Sequence, residues 1–140
     1  MKKLLTGLAL AVFAFVVSGC ASMDSSKAPG ANLSSFHTFY VKRLPDDSRG
    51  IEKLIASRLT MMGFQATSGD ADVPPVPVDA IVTYQDRWMW DITMYMIQLD
   101  VQIHDKTGMA VANGRSMRPS LQRKSPEGMV EEVLTNIFKQ

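Results

Sequence analysis

From Thr93 to His104 polar and apolar side chains alternate, and no other stretch of the chain restricts its own conformation as tightly. Tyr95, Ile97, Leu99, Val101 and Ile103 fall on one side of an extended chain. Met94, Met96, Gln98, Asp100, Gln102 and His104 fall on the other. A period of two predicts a strand buried on one face, as in antiparallel sheets. Asp105-Lys106-Thr107-Gly108 then predicts a hairpin, with Gly108 suited to the left-handed position, and a last strand from Met109 to about Met117. Upstream, Ala80, Val82, Tyr84, Trp88 and Trp90 share a face over Asp79 to Trp90, interrupted by Asp86, and Asp91 marks a tight turn.

The remaining elements follow from helical spacing and turn chemistry. Phe36 to Val41 reads as a strand with aromatics on both faces, so both are expected to be covered. Ile51, Leu54, Ile55, Leu59 and Met62 form a helical stripe behind a cap at Asp47 or Ser48, with Gly63 as the residue that ends it. Phe64 to Thr67 is a short strand. Residues 68–79 are a loop, because their prolines cannot sit in a sheet ladder. Ser125 caps a final helix with Pro126 in its first turn, and Val130, Val133, Leu134 and Ile137 form its buried face. The order is β-α-β-β-β-β-α. The expected class is α+β: a mixed, mostly antiparallel sheet with two helices packed on one face.

The N-terminus carries a different kind of signal. Lys2 and Lys3 precede an apolar run from Leu4 to Val17, broken only by Thr6 and Gly7, which ends at Val17-Ser18-Gly19-Cys20. A membrane-spanning helix needs about 20 apolar residues, so this shorter run reads as a secretory signal. Small residues directly before a cysteine resemble the bacterial lipobox. That resemblance implies cleavage before Cys20, a diacylglycerol on its thiol and an N-acyl chain on the new terminus. Two or more acyl chains suffice for stable anchoring. Ala21 in place of an aspartate implies, by the same resemblance, the periplasmic face of the outer membrane. Residues 1–19 are thus expected to be a signal peptide, 20–33 a lipidated flexible tether, and 34–140 a single periplasmic domain. A tether of small and polar residues of this length, punctuated by Pro29-Gly30, spans roughly 20 Å.

Of the fifteen Lys and Arg residues, Lys2 and Lys3 lie in residues 1–19, so thirteen remain in the mature chain against fourteen Asp and Glu. A side-chain charge of about −1 removes the global positive field that nucleic-acid binding requires. Cys20 is the only cysteine, so acylation leaves neither a disulfide nor a thiolate metal site.

Four segments carry a wider likeness: Phe36 to Tyr40, Asp79 to Asp91, Leu99 to Gly108, and the closing helix over residues 126–139. Together they resemble small proteobacterial envelope lipoproteins grouped as a domain-of-unknown-function family. The resemblance implies a fold and a location and supplies no catalytic residues.

No GxGxxG, P-loop, HExxH or GxSxG occurs, so no catalytic set is predicted. His37 and His104 lie in ordinary strand patterns. Asp86, Asp91 and Asp100 could be neighbours across the hairpin, where paired carboxylates suit acid–base work or a cation, and turn-capping and solvent exposure explain Asp91 and Asp100 equally well. Two surfaces remain as candidates for interaction. One is Trp88-Met89-Trp90, since Trp and Met are enriched at interfaces. The other is the basic segment with Arg115, Arg118, Arg123 and Lys124, whose cations suit phosphates of lipopolysaccharide or anionic groups of peptidoglycan. The leading expectation is therefore a non-enzymatic structural or interaction role in the cell envelope, with a membrane, an envelope protein, peptidoglycan or lipopolysaccharide as partner. The alternative is a periplasmic Cu(I) or Ag(I) site on Met94 and Met96 beside the tryptophans, because thioethers suit soft ions. His104 lies about 26 Å from Met96 along an extended strand and would not join it.

Overall fold

The computed structural model describes residues 20–139, and the expected signal peptide, residues 1–19, lies outside the described residues. The elements are β1 (Ser22–Lys27), β2 (Thr38–Lys42), α1 (Ile51–Met61), β3 (Gln65–Gly69), β4 (Ala80–Asp91), β5 (Thr93–Asp105), β6 (Ala110–Met117) and α2 (Pro126–Phe138). They build one six-stranded sheet in the order β1-β6-β5-β4-β2-β3. β2 runs parallel to β3 and β4, and the other pairings are antiparallel. From β2 onward the order is the expected one, and the class is α+β with a mixed, mostly antiparallel sheet.

Helix α1 lies over β2 and β3, α2 lies over β1, β5 and β6, and the two helices touch each other. Between them and the sheet sits a single core. Ile51, Ile55 and Leu59 from α1 and Met129, Val130, Val133, Leu134 and Ile137 from α2 meet Phe39, Val41, Val82, Leu99, Val101 and Ile103 there. Phe39 makes edge-on contacts with Phe36, Phe64 and Phe138, an arrangement favoured by the ring quadrupoles. Helix α1 ends as its glycine predicts. Gly63 adopts φ 98°, its N–H donates to the Thr60 carbonyl, and the Phe64 N–H donates to that of Leu59. In α2 the Ser125 hydroxyl accepts from the Gly128 N–H at 3.1 Å.

The N-terminal segment departs from expectation. Residues 22–27 are not a flexible tether but an edge strand, paired with β6 from Ser22↔Met117 to Lys27↔Ala112. The Ala28 N–H continues the ladder to the Val111 carbonyl at 2.8 Å, and Leu33 is buried in the core. Ser-Met-Asp-Ser-Ser-Lys shows no apolar period because β1 is held by the backbone ladder rather than by burial of one face. Only Ala21 therefore separates Cys20 from the folded domain.

A second departure lies in the strand that looked most regular. The β4–β5 register shifts between Arg87↔Gln98 and Trp88↔Met96, leaving Ile97 as an extra, unpaired residue. Because a bulge of one residue inverts the alternation beyond it, Met96 joins the core with Leu99, Val101 and Ile103. Tyr95 lies outside that core, buried under the Arg123 guanidinium at 4.8 Å from the ring centre.

The N-terminus of α1 is organised by Asp47. Its Oδ1 accepts from the N–H groups of Arg49 and Gly50 at 2.6 and 2.9 Å. Its Oδ2 accepts from the N–H of Ile51 and from the Tyr84 hydroxyl, both at 2.7 Å. Asp79 does the same for the sheet: one carboxylate oxygen accepts from the N–H groups of His37 and Thr38 at 2.8 and 3.0 Å. Those backbone bonds are the main cause of its pKa of about 2. They pin the start of β2 beside the start of β4.

Candidate interaction surface at the hairpin tip

Beyond the bulge, β4 and β5 continue as a two-stranded arm that no other strand joins among the described residues. β6 stops at Met117, opposite Gln98, and the arm extends past it to a turn at Ile92. Met89, Trp90, Ile92 and Met94 are exposed, with Trp90 at 70% and Ile92 at 86% of full accessibility. Trp90 and Met94 are cross-strand partners and share a face, and Met89 takes the opposite one. Ile92 has φ 63°, a left-handed conformation in which a β-branched residue is strained.

Residues 118–123 brace the arm. The Arg118 N–H donates to the Ile97 carbonyl at 2.8 Å. Ser120 donates its hydroxyl to the Asp91 carboxylate, and Arg123 Nη1 donates to the Thr93 hydroxyl at 2.9 Å. This brings Leu121, 86% exposed, to the segment tied against the tip.

Trp88 does not belong to the exposed set. It packs on the core, its Nε1 donates to Asp86 Oδ2 at 2.6 Å, and the Arg49 guanidinium covers its ring at 4.0 Å. The candidate surface is thus Met89 and Trp90 rather than the whole Trp-Met-Trp segment, with Ile92, Met94 and Leu121 added. Sequence reasoning missed Ile92 because a lone isoleucine in a turn carries no period. It missed Leu121 because a single apolar residue in a basic loop carries none either.

The four basic residues do not form one patch. Arg115 sits mid-sheet against Asp100, and that contact raises its pKa further. Arg118 makes a two-pronged contact with Glu132, which also accepts from Lys124 Nζ at 3.1 Å. Burial works to raise the Glu132 pKa, but these two cations outweigh it and hold it down. Arg123 is committed to Thr93, Ser120 and Asp91. Each cation meets a carboxylate, a pairing that spacing in the sequence does not reveal.

The two candidate metal ligands differ in surroundings. Met96 is enclosed in the core at 1% exposure, and Met94 is open at the arm. His104 hydrogen-bonds the Thr83 hydroxyl at 2.9 Å near the other end of the sheet. Among the described residues no group of three or more His, Cys, Asp or Glu side chains is placed to hold a metal ion. Cys20 is exposed, immediately ahead of Ala21 and β1.

No family model matches this chain, and no curated protein does. Among solved structures it is similar to the PelC dodecamer from Paraburkholderia phytofirmans. One structure of that protein, a single-substitution variant, gives a TM-score of 0.57 at 12% identity, covering 85% of this chain and 95% of that one. A second gives 0.55 at 11% identity with the same coverage. At such identities the likeness is one of fold.

Proposed function

We propose that this chain is a lipid-anchored envelope protein with a structural or interaction role and no catalytic one. Cys20 carries the acyl chains, and the domain faces the periplasm from the outer membrane. The observation that carries the reading is Cys20 itself: it follows an apolar run and small residues in the sequence, and it is exposed directly ahead of the first strand. A thiol in that position is open to an acylating enzyme and to a bilayer at once. The expected result is that palmitate fed to the producing cells labels the wild-type protein and not Cys20→Ser, which also retains residues 1–19. An unlabelled wild-type protein would remove the reading.

Assembly with further copies of the chain is a second reading. It is supported by the two sheet edges, β1 and β3, whose outer sides meet no further strand among the described residues. Edges of that kind are templates for pairing, and the similarly folded PelC is a dodecamer. Sedimentation of the detergent-solubilised protein is expected to show one discrete species larger than a monomer. A monomer at all concentrations would dismiss it.

A further inference from the structure

The strand registers place the anchor and the apolar arm at one end of the molecule. Ser22 pairs with Met117, which pairs with Gln98, which pairs with Arg87. β1 and β5 run in the same direction, because each is antiparallel to β6 between them. The residues before Ser22 and the residues before Gln98 therefore leave the sheet at the same end. Cys20 stands two residues past that common level and Ile92 stands five, counted along β4 from Arg87 because the extra residue Ile97 adds no level to the ladder. At roughly 3.3 Å per residue the tip projects about 10 Å further than the cysteine along the strands.

From this we infer that the tip of the β4–β5 arm enters the bilayer to which Cys20 is attached, with Trp90, Ile92, Met94, Met89 and Leu121 as the inserted surface. The inference rests on the acylation of Cys20 proposed above. With acyl chains on Cys20 and only Ala21 before β1, the cysteine sits at headgroup depth. A hairpin that projects beyond it in the same direction then meets the hydrocarbon boundary unless the sheet lies flat on the membrane.

Three features favour lipid over a protein partner. The apolar side chains occupy both faces of the arm and its apex, the shape of a wedge rather than of a one-sided docking patch. A tryptophan partway along such a wedge suits the interfacial layer, where indoles concentrate. Penetration of 5–10 Å is the usual depth of an interfacial apolar surface and matches the projection of the tip to within a few ångströms. The one carboxylate at the apex, Asp91, accepts from the Ser120 hydroxyl and lies 4.0 Å from the Arg123 guanidinium, which lessens the cost of bringing it to the headgroups. The strain at Ile92 keeps an apolar side chain at the apex, where glycine or asparagine would relieve the backbone.

Fluorescence of the mature lipidated protein in vesicles tests this, with Trp88→Phe leaving Trp90 as the sole indole. The vesicles are phosphatidylcholine brominated near the headgroup end of the acyl chain. Trp90 emission is expected to be quenched by the bromine and shifted to the blue. Its quenching by aqueous iodide is expected to fall several-fold relative to the protein held in micelles of a short-chain detergent and diluted free of them. Should Trp88→Phe fail to fold, the difference between wild type and Trp90→Phe gives the same quantity. Lipidation is read separately, from the mass of the Cys20 peptide. A lipidated protein whose Trp90 stays open to iodide and untouched by bromine overturns the inference and leaves the anchoring standing. Protection from iodide without bromine quenching assigns the tip to a protein contact and also overturns it. An unmodified Cys20 overturns both.

Discussion

Replacing Asp47 with alanine is expected to destabilise the domain by about 3 kcal/mol, measured as the loss in unfolding free energy in urea. An ordinary helix cap satisfies one backbone donor. Asp47 satisfies three and also accepts from Tyr84, so its removal orphans the N–H groups of Arg49 and Gly50, the first N–H of α1 at Ile51, and a buried hydroxyl together. Asp47→Asn keeps the shape and loses the charge, and falls between the two. The pH dependence carries a second signature. Burial alone would raise the Asp47 pKa, but the Tyr84 hydroxyl and the N–H groups of Arg49 and Ile51 outweigh it and bring it to about 2. A carboxyl depressed on folding contributes stability that is fully present above its unfolded value of 3.8 and is lost as the pH falls through about 2. Neighbouring Glu52 is shifted the other way. Burial first, and then the Asp47 carboxylate, raise its pKa above 4.5. Stability from that proton is present at low pH and declines as the pH rises through the raised value. Asp47→Asn should therefore flatten the acid limb of the stability profile, and Glu52→Gln the limb above it. Unchanged limbs in both variants would show that the pair does not act through its protons.

The second large effect is expected at Gly114. It lies in β6 directly beneath α2, and a Cβ built there would stand 2.7 Å from Cγ1 of Ile137, 2.9 Å from its Cδ1 and 3.1 Å from Val133 Cγ1. Both partners are fully buried, so neither can swing away into solvent. Ala112, Gly114 and Ser116 alternate along this face as a row of small residues, and that row sets how near the helix can come. Gly114→Val is expected to cost about 3 kcal/mol of overpacking, against the usual gain from removing a glycine from a strand. The cause can be separated from a backbone effect by relieving the clash. Gly114→Ala combined with Ile137→Ala should be less destabilised than the sum of the two single changes, by about 1 kcal/mol. Strict additivity would mean that the close approach is not what demands glycine.

These two positions also show what the sequence carried and what it withheld. The β5 alternation from Leu99 to Ile103, the glycine that ends α1 and the Ser125-Pro126 start of α2 are local signals, and each stands where its chemistry predicts. The sequence points to Asp47 or Ser48 as the cap, but the N-cap position falls to Gly50, and Asp47 acts from three residues ahead of it on the N–H groups of Arg49, Gly50 and Ile51. Its bond to Tyr84 bridges 37 residues and has no local trace. The bulge at Ile97 is invisible because every residue around it fits an unbroken strand, yet it decides whether Met96 faces core or solvent. The basic residues gave the most misleading impression. Crowding along the chain suggested a cluster, while Asp100, Glu132 and Asp91 are supplied by other elements and divide the cations among themselves.

The edge strand that replaces the expected tether changes how force would pass between the proposed anchor at Cys20 and the domain. A pull on Cys20 runs along β1, and the hydrogen bonds joining β1 to β6 lie across that direction. Loaded in shear, the ladder yields only when its bonds break together, whereas a hairpin opened from one end yields bond by bond. With the acyl chains proposed for Cys20, the connection would act as a rigid mount instead of a rope: a tilt or twist of the sheet would be felt at those chains, and the bilayer would in turn fix which way the domain points.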